Sequence, residues 1–282
     1  MAQTKHQIEA LLSEAGSRPR HRFGQNFMID QNLVRLVADA GMLSRDDLAI
    51  EVGPGTGTLT EELLERAGRV VAVEIDRDLA ALLASRYADR DNFALVVGDA
   101  LAGKHGINAD LLAMIAKAAA EGRQRKLVAN LPYNIASPLV IELLIAGVSV
   151  LAFTVQKEVA QRLKAAAGSD DYGPLSVMAQ MLSKVELMRT LPPQAFWPVP
   201  KIDSALVRMT RSDRLGNRAA GFGEFVSGVF SYRRKTLRKA LSQAGHDAEK
   251  VLATTSLDGK RRPEEFAPEE FLAMFEATQI MK

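Results

Sequence analysis

Short apolar stretches rich in β-branched residues alternate with amphipathic stretches along the first half of the chain, and this alternation constrains the fold more than any other feature. Near-continuous apolar character favours strands buried on both faces, and the spacers have helical periodicity. Together they predict a parallel sheet covered by helices on both faces, the doubly wound α/β architecture. The predicted strands are Leu48–Val52, Arg69–Ile75, Phe93–Val97, Lys126–Asn130 and Val148–Val155, and the predicted helices are Leu59–Arg66, Arg77–Tyr87, Ala109–Gly122 and Pro138–Ala146.

The pattern changes toward the C-terminus. Two later strands are predicted at Val185–Arg189 and Ser204–Met209, and the proline-rich stretch Leu191–Lys201 between them reads as a stiff extended loop. Beyond about residue 211 the periodicity is helical without strands. The helices predicted there are Gly223–Phe230, Arg233–Ala244 and Pro268–Ala277. We therefore predict a basic N-terminal extension over 1–22, an α/β domain over 23–211 and a small all-helical domain over 212–282.

A glycine-rich loop, Glu51–Gly57, follows the first of these predicted strands, where a doubly wound sheet places its nucleotide pocket. A dinucleotide-binding loop needs its third glycine three residues after the second, and Thr58 occupies that position here. The spacing of Gly53, Gly55 and Gly57 suits a ligand with an amino-acid moiety and no pyrophosphate. Glu51 could touch this ligand or only orient the loop.

Two acidic residues, Glu74 and Asp99, end the next two predicted strands. A carboxylate at the position of Glu74 can accept hydrogen bonds from both hydroxyls of a ribose. Asp99 can accept from the amine of an adenine. Either residue alone could be a strand-end cap or a salt-bridge partner, but their succession after the glycine loop predicts an S-adenosylmethionine (SAM) site.

The fourth predicted strand ends in Asn130, Leu131, Pro132 and Tyr133, at the same edge of the sheet. Pro132 favours extended geometry at Leu131, so the Asn130 side-chain carbonyl and the Leu131 main-chain carbonyl can face one pocket. Two acceptors suit an amine with two hydrogens, and Tyr133 offers a ring for stacking on a base. The four residues could also simply turn the chain into the next helix. Alone, they specify an amine of DNA, RNA or protein.

Charge distribution favours a nucleic-acid partner. The formal net charge is only +2, yet residues 201–240 hold ten Lys/Arg against three Asp/Glu. A smaller cluster includes Arg18, Arg20 and Arg22. Either cluster could instead be a solvated face. The chain has no cysteine, which excludes thiol catalysis and thiolate metal sites, and we predict no metal. No signal peptide or membrane span is evident, so we expect a cytoplasmic protein.

These motifs resemble those of the small-subunit rRNA adenine dimethyltransferases, a family with a Rossmann-like class I methyltransferase sheet and a helical C-terminal domain. The resemblance runs from residue 22 onward. The matching stretches are Phe23–Phe27, Glu51–Gly57, Glu74, Gly98–Ala100, Asn130–Ile135, Val155–Ala160, Tyr172–Val177, Phe196–Ser204 and Arg233–Leu237. It departs in small ways, with Met28, Ala136, Ser137 and Lys239 where other residues are commoner.

The resemblance implies a complete reaction. SAM binds at Asn26, Met28, Gly53, Glu74, Asp99 and Asn130, and methyl groups pass to N6 of two adjacent adenosines in the 3′-terminal hairpin loop of small-subunit rRNA. The partner is a 30S particle late in assembly, and we expect a monomer. Phe196 is expected to stack on the target base opposite Tyr133. We assign rRNA contacts to Arg20, Arg22, Arg233, Arg234, Lys235 and Arg238.

Three alternatives remain beside this interpretation. A macrolide-resistance methyltransferase acting on large-subunit rRNA shares the cofactor and acceptor motifs, but Phe196–Ser204 and a predicted helix at Arg233–Leu237 argue against it. A DNA adenine methyltransferase is disfavoured because no target-recognition insertion is evident. A non-catalytic binding factor with this fold is disfavoured by the intact Glu74, Asp99 and Asn130–Tyr133.

Overall fold

The computed structural model describes residues 3–20, 23–103, 106–212 and 214–279, which fold into two compact units. The first unit comprises the described residues of Met1–Ala160 and Glu186–Arg211. The second comprises those of Gln161–Val185 and Ser212–Lys282. Among the described helices, none has the length and apolar character that crossing a membrane requires.

Most strands of the described chain form one seven-stranded mixed sheet, in the order β4-β3-β2-β5-β6-β9-β7. A separate two-stranded sheet pairs β1 with β8. The strands are β1 (Phe27–Met28), β2 (Leu48–Val52), β3 (Arg69–Glu74), β4 (Phe93–Val97), β5 (Arg125–Asn130), β6 (Val150–Gln156), β7 (Ser183–Leu191), β8 (Phe196–Trp197) and β9 (Ser204–Arg211).

Helices connect these strands and make up most of the second unit. The helices of the described residues are α1 (Lys5–Glu14), α2 (Gln31–Ala40), α3 (Thr58–Arg66), α4 (Arg77–Arg86), α5 (Ala109–Ala120), α6 (Ala136–Ile145), α7 (Lys157–Lys164), α8 (Pro174–Leu182), α9 (Ala219–Phe230), α10 (Leu237–Gln243), α11 (Ala248–Thr255) and α12 (Pro268–Gln279).

The doubly wound α/β prediction is confirmed. β2 pairs in parallel with β3 and β5, β3 with β4, and β5 with β6, so their carboxyl ends share one edge of the sheet. All five residues of β2 are buried, as expected for a strand covered on both faces. β9 runs antiparallel to β6. The chain runs from β2 to β3 and β4 on one side of β2 and then returns to β5 on its other side, and ligands bind at such a switch in doubly wound sheets.

The proline-rich stretch is more ordered than the predicted loop. Its centre forms the short strand β8, in which Phe196 pairs with Met28 and Trp197 with Phe27. This pairing joins two stretches far apart in sequence, and a two-residue strand carries no detectable alternation. The sequence pattern also did not predict helices α1, α2, α7, α8 and α11.

The helix predicted to start at Arg233 begins at Leu237 instead, so that prediction is wrong for Arg233–Lys235. These residues lie in a turn, in which the Arg233 amide donates to the Phe230 carbonyl at 3.0 Å and the Lys235 amide to the Tyr232 carbonyl at 2.8 Å. The Leu237 amide, which has no partner within α10, donates to the carbonyl of residue 261 at 2.7 Å. This bond gives a partner to one of the main-chain amides that lack one at the start of α10.

The predicted domain limits differ from the two units in one stretch. Residues 161–185 belong to the second unit, not to the α/β part. Within that unit, the Tyr172 hydroxyl donates to the Phe266 carbonyl at 2.8 Å, and the Tyr172 and Phe230 rings pack edge to face. Helix α8, with most of its apolar residues buried, packs against α9 and α12 of the same unit. The predicted N-terminal extension belongs to the first unit.

Candidate active site

A cleft opens at the carboxyl edge of the parallel strands. Its walls come from the segment before α2, from the glycine loop and from the ends of β3, β4 and β5. Predicted site residues that line it are Asn26, Met28, Glu51, Gly53, Gly55, Glu74, Asp99, Asn130 and Pro132. Most residues that the sequence assigned to the cofactor thus converge on one cavity.

The glycine loop between β2 and α3 takes a conformation that side chains resist. Gly55 has φ +62°, and a Cβ added there would lie 2.8 Å from Cε1 of Phe27. Gly53 has φ +73°, and its Cβ would come within 3.1 Å of Cγ of Pro132. Both glycines let the backbone approach neighbouring loops closely. Gly57 precedes α3 without a side-chain cap, so the first amides of that helix remain available to an anion.

Glu74 ends β3 with its side chain almost fully buried, at 3% exposed. One carboxylate oxygen accepts the Gly55 amide at 3.1 Å, and the other accepts the Asp76 amide at 2.9 Å. Burial raises the pKa of Glu74 to about 7, against the lowering effect of these bonds. The two amides fix the orientation of the carboxyl group in the cleft.

Glu51 is also buried and accepts a hydrogen bond from the Thr60 hydroxyl at 2.7 Å. Burial raises the pKa of Glu51 to about 8, with a further upward contribution from the nearby Glu74. The hydroxyl of Thr60 ties the end of β2 to the first turn of α3. This contact supports the loop-orienting alternative for Glu51, and its contact with ligand stays a prediction.

Asp99 follows β4 and is exposed at the cleft. Its Oδ1 accepts the Leu101 amide at 3.0 Å, and its main-chain carbonyl accepts from the Asn108 side chain at 3.0 Å. These bonds hold the loop after β4, and Asp99 itself stays exposed. Met28 adds a buried apolar wall.

The side chain of Asn130 is held at both ends of its amide group. Its Nδ2 donates to the main-chain carbonyl of Asn26 at 2.6 Å. Its Oδ1 accepts a short hydrogen bond from the hydroxyl of Thr154, the residue opposite it on β6. Because the amide nitrogen faces a carbonyl and the amide oxygen faces a hydroxyl, the side chain has one satisfactory orientation. One lone pair of Oδ1 remains.

Tyr133 is half-buried, and its hydroxyl lies 2.7 Å from the Ser204 hydroxyl. Burial raises the pKa of Tyr133 above its ordinary value, so the phenol stays neutral at physiological pH. Leu131 is buried at 1% exposed, and its amide donates to the Thr154 carbonyl at 3.3 Å. Thr154 therefore holds both Asn130 and Leu131, a role the sequence did not reveal because nothing in β6 distinguishes this threonine from an ordinary strand residue.

The structure contradicts the stacking role predicted for Phe196. Its ring is fully buried, in the core that includes Met28 and Leu206. A ring without exposed surface cannot stack on a base. Successive side chains of a strand point to opposite faces, so β8 directs Phe196 inward and Trp197 toward Phe27, with ring centroids 6.2 Å apart.

The predicted rRNA contacts divide into three groups: one residue outside the described ranges, two residues paired with acidic side chains, and a turn of three basic residues. Arg22 is the residue outside the described ranges. Arg20 is held by Asp76 at 2.7 Å and Asp78 at 2.5 Å, and its contact with rRNA stays a prediction. Arg238 is exposed but pairs with Glu249.

The third group is the turn before α10, where Arg233, Arg234 and Lys235 are all exposed. Within the described ranges, none of the three has an acidic partner. Their charge is therefore available to an anionic partner.

The cleft fits SAM by the chemistry of its own residues. The glycine loop forms a cradle that a Cβ would obstruct, next to the uncapped start of α3. The carboxyl groups of Glu74 and Asp99 lie at successive strand ends, where they suit the ribose hydroxyls and the adenine amine. Within the described residues, no group of His, Asp and Glu side chains is arranged to hold a metal ion.

Sequence comparison adds independent evidence. The family profile of ribosomal RNA adenine dimethylases matches residues 16–279. The ribosomal RNA small subunit methyltransferase A of Moorella thermoacetica is 39% identical over 280 residues, covering 96% of both chains. The protein of the same name from Geobacillus thermodenitrificans is 36% identical over 286 residues, covering 97% of this chain and 96% of the relative.

Two solved structures share the fold over most of the chain. The 23S rRNA methyltransferase ErmE aligns with a TM-score of 0.63 at 26% identity, covering 90% of this chain and all of that one. A dimethyladenosine transferase from Plasmodium falciparum aligns with a TM-score of 0.69 at 22% identity, covering 88% and 95%. With the cleft described above, the profile match and the full-length relatives establish that this chain is a SAM-dependent methyltransferase of the ribosomal RNA adenine dimethylase family.

Proposed function

We propose that the protein transfers methyl groups from SAM to N6 of two adjacent adenosines in the 3′-terminal hairpin loop of small-subunit rRNA, during late assembly of the 30S particle. The names of the full-length relatives support the small subunit as the substrate. The observation that carries the proposal is the fixed Asn130 amide beside the glycine loop, because it presents a hydrogen-bond acceptor where a methyl acceptor must lie.

The exocyclic amine of adenine is a weak nucleophile, because its lone pair is delocalised into the ring. Hydrogen bonds that hold both amine hydrogens out of the ring plane favour tetrahedral geometry and localise the lone pair on nitrogen. SAM supplies a methyl group on a positively charged sulfur. The protein therefore needs acceptors placed in advance more than it needs a strong base.

Asn130 and Leu131 supply these acceptors. Thr154 occupies one lone pair of the Asn130 amide oxygen, and the second can accept from the amine. The main-chain carbonyl of Leu131 is the second acceptor, on a residue whose amide is tied to Thr154. Because Asn130 is held at both ends of its amide, little reorganisation is needed when the base arrives.

The cofactor residues divide by the part of SAM that each would hold. Glu74 would accept from the ribose hydroxyls and Asp99 from the adenine amine, as their positions at successive strand ends suggest. Asn26 and Met28 close the cleft from the segment before α2. Gly53 and the rest of the glycine loop would bring backbone amides to the amino-acid moiety.

The substrate RNA would contact the helical second unit. Arg233, Arg234 and Lys235 form an exposed basic turn, and Lys235 and Lys239 line a shallow groove beside it. Phosphates of the rRNA would displace counterions from this surface. Tyr133 is only half-buried, and we propose that its exposed part faces the target base. We propose that the enzyme works as a monomer in the cytoplasm, where 30S particles assemble.

Transfer of labelled methyl groups tests this proposal. The wild-type protein should label undermethylated 30S particles and leave large-subunit particles unlabelled. Asn130→Ala should bind the same particles but transfer at least about a hundredfold more slowly, the scale of losing a preorganised hydrogen bond in a transition state. Labelling of large-subunit particles, or none of 30S particles by the wild type, would overturn the proposal.

A further inference from the structure

The N-terminal segment, residues 3–20, contacts two loops of the candidate active site. Residues 3–15 lie outside the stretch that matches the family profile, which begins at residue 16. The sequence assigned only an RNA contact to this segment, at Arg20. Two of its polar side chains, those of Gln3 and Arg20, bind to the protein's own loops.

Gln3 forms two hydrogen bonds with Thr56, in the middle of the glycine loop. The Gln3 Nε2 donates to the Thr56 carbonyl at 3.0 Å, and the Thr56 hydroxyl donates to the Gln3 Oε1 at 2.6 Å. The two residues are 5% and 1% exposed, so water cannot readily replace either bond. Arg86 donates to the same carbonyl at 3.1 Å. Gln3, unlike Arg86, bonds to both the backbone and the side chain of Thr56.

Helix α1 holds Gln3 in place. Thr4 caps the helix in a reciprocal capping box with Gln7, directly after Gln3. On the inner face of α1, Ile8 and Leu12 are buried in one cluster with Phe27. The Phe27 ring lies against Gly55, where an added Cβ would be 2.8 Å away. The segment thus supports the glycine loop through a second, apolar contact.

The other end of the segment holds the loop after β3. Arg20 pairs with Asp76 at 2.7 Å and with Asp78 at 2.5 Å. The Asp76 amide donates to Glu74 at 2.9 Å, and the Gly55 amide donates to Glu74 at 3.1 Å. Each amide that orients Glu74 therefore belongs to a loop that the N-terminal segment contacts.

We propose that residues 3–20 form an N-terminal clamp, which preorganises the glycine loop and the loop after β3 for SAM, with Gln3 and Arg20 as positioning residues. A glycine loop has large conformational freedom, and freezing it on binding opposes affinity. The clamp removes part of that cost before the cofactor arrives. The proposal rests on the proposed use of this cleft for SAM.

Calorimetric binding of S-adenosylhomocysteine tests the clamp without the RNA substrate. Gln3→Ala should raise the Kd about five- to tenfold, the scale of two modest hydrogen bonds. His6→Ala, on the exposed face of the same helix, is the matched control and should leave the Kd unchanged. In methyl transfer, Gln3→Ala should raise the KM for SAM while changing kcat at saturating cofactor less than about twofold.

Thr56 variants separate positioning from packing. Thr56→Val removes the hydroxyl at nearly constant volume and should weaken binding, whereas Thr56→Ser keeps the hydroxyl and should weaken it less. Gln3→Ala combined with Thr56→Val should be no weaker than the weaker single variant, because one contact is removed twice. Hydrogen exchange of the Gly55 and Asp76 amides should accelerate in Gln3→Ala without cofactor.

Two results distinguish failure of the clamp from failure of the cofactor site. If wild-type protein does not bind S-adenosylhomocysteine, the use of the cleft is wrong. If the wild type binds but Gln3→Ala binds equally well, even with a lower Tm, residues 3–20 only pack against the fold and the clamp proposal is overturned.

Discussion

Cofactor binding should depend on pH through Glu74. In the free protein burial raises the pKa of this carboxyl to about 7, so about nine in ten are protonated near pH 6 and about one in ten near pH 8. Ribose hydroxyls that donate to Glu74 favour its ionised form. Binding must then release the proton, which costs free energy below pH 7 and almost none above it.

The magnitude follows from the same pKa. If the bound carboxylate stays ionised throughout, affinity rises about tenfold from pH 6 to pH 8, equivalent to about 1.4 kcal/mol, and levels off above. Proton release on binding should fall from about 0.9 near pH 6 to about 0.1 near pH 8.

Calorimetry in buffers of different ionisation enthalpy measures both quantities. The ligand 5′-methylthioadenosine is suitable, because it keeps the ribose hydroxyls and lacks the titrating amino-acid part of SAM. Glu51→Gln is the control, since Glu51 is the other buried carboxyl of the cleft, with its pKa raised to about 8. This variant should retain the dependence centred near pH 7. A flat profile in the wild type, or its loss in Glu51→Gln, would refute the role assigned to Glu74.

Three further predictions follow from the site and its surroundings. Asn130→Ala should lower kcat for methyl transfer far more than it weakens S-adenosylhomocysteine binding, and equal losses in both would contradict the acceptor role. Replacing Arg233, Arg234 and Lys235 with Ala should reduce the log–log salt slope of particle binding by about 2, and an unchanged slope would mark a solvated turn. Because folding raises the pKa of Glu51, this residue contributes stability to the folded state that is fully present below its ordinary pKa of 4.5. That contribution is lost as pH rises through about 8. Urea unfolding should therefore find Glu51→Gln gaining stability relative to wild type between about pH 5 and pH 9, by roughly 1.4 kcal/mol per unit of pKa shift, and a constant difference would contradict this.

The central sheet was predictable because its strands are buried on both faces. Burial of this kind leaves a near-continuous apolar run, as in Leu48–Val52 with Glu51 as its one polar residue, and the structure confirms this strand residue for residue. Glycine spacing and strand-end acids then located the cleft, since parallel strands place their carboxyl ends at one edge. These signals are local in sequence.

Contacts between distant parts of the chain gave no such signal. Arg20 has the charge of a phosphate contact, and only the fold brings Asp76 and Asp78 to it. Phe196 has the ring of a stacking residue, and only its pairing with Met28 directs that ring into the core. Thr154 is likewise an ordinary strand residue until the register of β6 places it beside Asn130. In each case the residue type indicated what the side chain could contact, and the residues that the fold places beside it determined what it does contact.

Nucleoside analysis of 30S particles after reaction tests the central claim most directly. Undermethylated particles incubated with wild-type protein and SAM should yield N6,N6-dimethyladenosine at the two adjacent adenosines of the 3′-terminal hairpin loop. Particles incubated with Asn130→Ala should keep unmodified adenosine there, although the variant binds them. Particles bound by wild-type protein that keep unmodified adenosine, or that carry the methyl groups on another base, would contradict the account.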